Sequence, residues 1–67
     1  MRLHYFADYE GYEGGRPILW GQITHSVETG DEARLDPAEV IAALRRRAAE
    51  VHGIEPRQVR LCQVVRL

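Results

Sequence analysis

Leu35-Asp36-Pro37-Ala38-Glu39-Val40 is the stretch that decides the fold, because it writes a helix start into a chain that elsewhere alternates like β-strand. Asp36 suits the N-cap, where its side-chain oxygen can accept from an orphan backbone N–H, and Pro37 suits the first helical position, where no N–H is needed. Glu39 stands where a capping box would place it, and Leu35 and Val40 occupy the two positions of a hydrophobic staple. Ile41, Leu44, Ala48 and Val51 follow at spacings of three and four and draw one apolar stripe. Gly53 can end the helix in a left-handed cap before Pro56. The spacing predicts a helix from Pro37 to His52, with Ala42, Arg45, Arg46 and Ala49 on its other face and Glu50 paired with Arg46 or Arg47.

Upstream, Leu3, Tyr5, Ala7 and Tyr9 alternate with Arg2, His4, Phe6 and Asp8, which predicts a strand with two different faces. Gly11-Tyr12-Glu13-Gly14-Gly15, followed by Arg16-Pro17, reads as a hairpin loop. From Ile18 to Glu28 the alternation resumes, with Leu19, Gly21, Ile23, His25 and Val27 on one side and Trp20, Gln22, Thr24 and Ser26 on the other. A loop centred near Tyr12 and Glu13 places Tyr5 opposite Gly21 on the inner face and Phe6 opposite Trp20 on the outer one. An aromatic lying over a strand glycine is a stabilising device that supports this register. Thr29-Gly30-Asp31-Glu32 reads as a polar turn.

Downstream, residues 58–67 are rich in β-branched side chains and read as a third strand. Its facing is ambiguous: Val59, Leu61, Val65 and Leu67 share a parity with Gln63, while Cys62 and Val64 share the other with Arg60 and Arg66. The first set is expected inside, since burying two Arg costs far more than burying one Gln. The order ββαβ makes a two-layer α+β domain, a three-stranded, mostly antiparallel sheet with one helix on one face. Strand order 2-1-3 is favoured because every neighbour is then antiparallel; a parallel third strand beside the second is the alternative.

Length and composition bound the function. At 67 residues the chain is one domain,. A domain this small buries only about 60% of its unfolded surface, so few large apolar side chains are spare. Nine cationic side chains, all Arg, face ten carboxylates, which argues against nucleic acid as the partner, since strong phosphate binding needs unopposed cations. Cys62 is the only cysteine, so no intramolecular disulfide is possible and a reducing cytoplasm is the expected compartment,. Neither a signal peptide nor a membrane span is expected.

One helix leaves one sheet face open. In the expected register that face carries His4, Phe6, Trp20, Gln22, Thr24, Arg60, Cys62, Val64 and Arg66. Aromatics flanked by Arg on an open face mark an interface, and the candidate set is Phe6, Trp20, Gln22, Arg60, Cys62 and Arg66. Other chemistries lack their patterns. His4, His25, His52 and Cys62 lie on four different elements without metal-ligand spacing, so no metal or cofactor is expected. Nothing in the sequence lowers the pKa of Cys62 for nucleophilic attack, and Asp8, Glu10 and Glu13 lack the spacing of a calcium loop or a catalytic carboxylate pair. No catalytic residue and no small-molecule substrate is inferred.

In length, element order and the stretches Gly14-Gly15…Trp20-Gly21 and Val64-Val65, the whole chain is similar to small ββαβ proteins of uncharacterised function common in bacteriophages and prophages. The resemblance implies an accessory protein that acts by binding a host or phage protein and transfers no catalytic residue. The expectation is a non-enzymatic module that binds a protein partner or pairs with itself as a homodimer, through the open face or a strand edge. The alternative is weak nucleic-acid binding through the same aromatics and Arg side chains.

Overall fold

Alternating apolar and polar side chains build two long strands, β1 (Arg2–Glu13) and β2 (Arg16–Glu28). The helix α1 (Pro37–His52), a single 3-10 turn (Pro56–Gln58) and the strand β3 (Val59–Arg66) follow. The structure, a computed structural model, describes residues 1–30 and 35–67; the expected polar turn at Asp31 and Glu32 lies outside them. The sheet order is β2-β1-β3, with both pairings antiparallel. The long hairpin sets the long axis of a molecule measuring 40 × 17 × 16 Å.

The hairpin is longer than the glycine pattern suggests. Its turn is Gly14-Gly15 alone, with φ of 58° and 78°, and consecutive positive φ values are what a tight two-residue turn between twisted strands requires. Gly11 stays in β1, where a Cβ would collide with the Leu19 side chain; this glycine serves close packing. The turn therefore falls further along, and the partner of Phe6 is Thr24 instead of Trp20. Trp20 lies opposite Glu10, and Tyr9, not Tyr5, lies opposite Gly21. The displacement is an even number of residues, so the two faces of the hairpin keep their expected membership. Tyr9 supplies the glycine cover, since a Cβ on Gly21 would meet its ring.

Asp36 caps α1 as the sequence dictates, accepting from the Ala38 N–H at 2.9 Å. Gly53 closes the helix at φ 66°, and the Ile54 N–H reaches the Ala49 carbonyl at 3.0 Å. The buried stripe is Val40, Leu44, Ala48 and Ala49, while Ile41 is partly exposed and Val51 lies 65% open. The cause lies beneath the helix: the bulky Tyr9 ring demands small side chains above it, so Ala48 and Ala49 face it and Val51 turns outward. A second cluster joins Ala7, Val40 and Leu44, with Leu35 packed against it as the staple requires,. Arg47 donates from Nε to the Thr24 carbonyl on the edge strand β2, at 3.1 Å. Arg45 is half-buried, and Arg46 points to solvent.

The facing of β3 changes partway along. Val59 and Leu61 oppose Gly11 and Tyr9, but Asp8 is paired with Gln63, so Cys62 is an extra residue at a β-bulge,. Beyond it the parity is reversed. Val64 and Arg66, opposite Ala7 and Tyr5, lie on the helix side, while Gln63 and Val65, opposite Asp8 and Phe6, lie on the open side. The expected inward placement of Gln63 and Val65 and outward placement of Val64 and Arg66 are thereby corrected. The bulge resolves the conflict in the sequence: it keeps Val59, Leu61 and Val64 inward and puts the Gln63 amide in water. Arg66 faces the helix side only at the exposed end of the strand.

Candidate protein interface on the open sheet face

Opposite α1 the sheet has no covering layer among the described residues. The outward residues of β1 are Phe6, Asp8, Glu10 and Tyr12, and those of β2 include Trp20, Gln22 and Thr24. β3 adds Arg60, Cys62, Gln63 and Val65. Of the six residues expected at an interface, Phe6, Trp20, Gln22, Arg60 and Cys62 share this face, and Arg66 does not. Phe6 and Trp20 do not form a pair: their partners on the opposite strand are Thr24 and Glu10, which separates them by about 13 Å along the sheet. The face is thus divided between an apolar step at Phe6 and Val65 and a second centre at Trp20.

Trp20 is 67% exposed. It borders a shallow depression of about 470 Å³ lined with Asp8, Glu10, Gln22 and Cys62, together with Tyr9 and Gly21. All three strands contribute: Asp8 and Glu10 rise from the central strand, Trp20 and Gln22 from one edge, and Cys62 from the bulge at the other. Gln22 donates from its amide to Asp8 Oδ1 at 3.1 Å. The Tyr12 hydroxyl donates to Glu10 Oε2 at 2.6 Å, and Arg60 reaches that hydroxyl at 3.5 Å. The Tyr12 hydrogen bond, with help from the Cys62 thiol and the Arg60 charge, holds the Glu10 carboxyl below its ordinary range.

Cys62 experiences the opposite influence. Loss of water around the sulfur, then the neighbouring Glu10 carboxylate, push its thiol above the ordinary value, whereas an attacking thiolate needs a lowered one. His4 bonds Ser26 Oγ through Nδ1 at 2.7 Å and sits about four residues along β1 from the bulge, or roughly 13 Å away. His25 and His52 belong to the helix side: the Tyr9 hydroxyl and His52 Nε2 lie 2.6 Å apart, and their rings meet edge to face. Among the described residues no three His, Cys, Asp or Glu side chains converge as a metal site would require.

Sequence reasoning missed the depression because two of its features depend on register. The Glu10–Trp20 juxtaposition follows from where the turn falls, and the position of Cys62 follows from the bulge. It also missed Gln58, whose side chain accepts from the Glu55 N–H and donates to the Tyr12 carbonyl, each at 3.0 Å. That latch fastens the start of β3 to the end of β1. No helix among the described residues is long and apolar enough to cross a membrane. No protein-family model matches the chain, and no curated protein or solved structure is significantly similar to it.

Proposed function

We propose that this chain is a non-enzymatic module that binds a protein through the open face of its sheet, with Trp20 as the anchor. The observation that carries the reading is the placement of the chain's largest side chain. In a domain with few apolar residues to spare, its one tryptophan stands 67% exposed beside a depression. Tryptophan is the residue type most enriched where binding energy concentrates, and it gives most when a partner closes over it. Phe6 and Val65 extend the apolar surface along the same face.

The charges favour a protein over a nucleic acid. Asp8 and Glu10 line the depression, Arg66 lies on the other side of the sheet, and Arg45 is half-buried against the helix side. Phosphate would meet carboxylates where it needs cations. In keeping with the resemblance in length and element order to small phage and prophage proteins, we take the partner class to be a host or phage protein. The test is selection of binders from a displayed random-peptide library against the immobilised chain. Peptides bound by the wild type and lost on Trp20→Ala support the reading; peptides that bind both forms equally overturn it.

A further inference from the structure

The chemistry of the depression narrows what a partner must present, an inference that rests on the open-face reading above. Asp8 and Glu10 are next-but-one neighbours on the central strand, so their carboxylates project to the same side. Trp20 lies directly across from Glu10, and Gln22 across from Asp8. Two carboxylates therefore stand beside an exposed indole, with no cation among the lining residues. Glu10, its pKa lowered further by the hydrogen bond from Tyr12, is ionised at neutral pH. An ionised carboxylate offers about four lone-pair sites, so the bond from Gln22 to Asp8, and those from Tyr12 and the Cys62 thiol to Glu10, leave both groups able to accept more. The nearby guanidinium of Arg60 is directed at the Tyr12 hydroxyl.

We propose that the depression receives an arginine side chain of the partner protein, its guanidinium stacked on the Trp20 indole and its N–H groups donated to Glu10 and Asp8. The negative face of an indole attracts a cation. The planar guanidinium can stack and donate to carboxylates at the same time, which a lysine ammonium does less well. Phe6 and Val65 then take apolar side chains flanking that arginine. An anionic or purely apolar partner would leave Asp8 in a low-dielectric contact with no cation among the lining residues, and Glu10 with Arg60 as its one cationic neighbour across the strand pair, a costly arrangement,.

The test is an NMR titration of the ¹⁵N-labelled chain with Nα-acetyl-arginine methylamide, run beside the citrulline analogue, which keeps the shape and loses the charge. Arginine should shift the Trp20 indole N–H and the amides around Asp8 and Glu10 saturably, with citrulline roughly tenfold weaker. Combining Glu10→Gln with Asp8→Asn should reduce arginine to the citrulline level while the rest of the amide spectrum stays in place. Equal responses to the two probes, or an arginine response indifferent to the double substitution, would overturn the proposal. The peptide selection separates its failure from that of the broader reading. Trp20-dependent peptides without arginine sink the arginine site and leave the open face standing, whereas peptides indifferent to Trp20 remove the open face itself.

Discussion

The two faces of the sheet are built on opposite rules. Under α1 the fully buried positions are Ala7, Ala48 and the larger Leu44, Tyr5 packs at the edge of that layer, and the buried Tyr9 ring covers Gly21 beneath Ala48 and Ala49. On the other face the side chains are larger and more polar toward the turn end, and the largest of them, Trp20, is two-thirds exposed. Stability is thus concentrated on one side of a sheet one layer thick. The other side can vary its chemistry at little cost to folding, and so is where recognition can reside.

Substitutions at the centre of each face should separate the two rules most clearly. Leu44→Ala opens a cavity in the helix-side core, at the one large side chain fully buried among the described residues, and should cost about 2–5 kcal/mol in urea unfolding,, enough to leave so small a domain largely unfolded. A cost under about 1 kcal/mol would mean that the helix face is not the core. Gly21→Ala drives a methyl into the Tyr9 ring and should cost about 1–3 kcal/mol; a neutral result would dissolve the Tyr9–Gly21 register.

Acid should act on both faces through different groups. On the helix side, burial and then the charges of Arg47 and Arg46 lower the pKa of His25. The unfolded chain therefore takes up a proton on His25 that the folded chain resists. The stability due to neutral His25 is complete above about pH 6.5 and declines as pH falls below it. A pH series of urea midpoints on His25→Gln should lose that decline, and an unchanged slope would assign it elsewhere. On the open face Glu10, and at the strand ends Glu28, have lowered pKa values, so their contributions persist above the ordinary carboxylate range and disappear on further acidification,. The smallest effect belongs to Trp20→Ala, which should move stability by about 0.5 kcal/mol or less; a loss of several kcal/mol would make Trp20 a core residue.

How much of this was legible in the sequence depends on whether a feature is local. The helix limits at Pro37 and His52 follow from a cap, a proline and a left-handed glycine, all read within a few residues. The membership of the hairpin faces follows from alternation, which an even register shift leaves intact, and the strand order from keeping every neighbour antiparallel, a preference that left a parallel third strand as the alternative. The register itself was hidden because Gly11, Gly14 and Gly15 all look like turn glycines, and only packing against Leu19 distinguishes the first. The facing of β3 was hidden because strict alternation has no place for a bulge. The conflict between Gln63 and its apolar neighbours was the one sign of it, visible but open to two resolutions. The candidate site inherits both uncertainties: Trp20 and Asp8 could be placed on the open face, but the pairing of Trp20 with Glu10 could not.

Acrylamide quenching of the chain's single tryptophan, in dilute native protein, tests the central claim most directly. The account predicts red-shifted emission and quenching close to that of the unfolded chain, followed by a blue shift and protection when a bound partner closes over the open face. Blue-shifted emission shielded from acrylamide in the free monomer would contradict it, because Trp20 would then belong to the core and the open face would have lost its anchor.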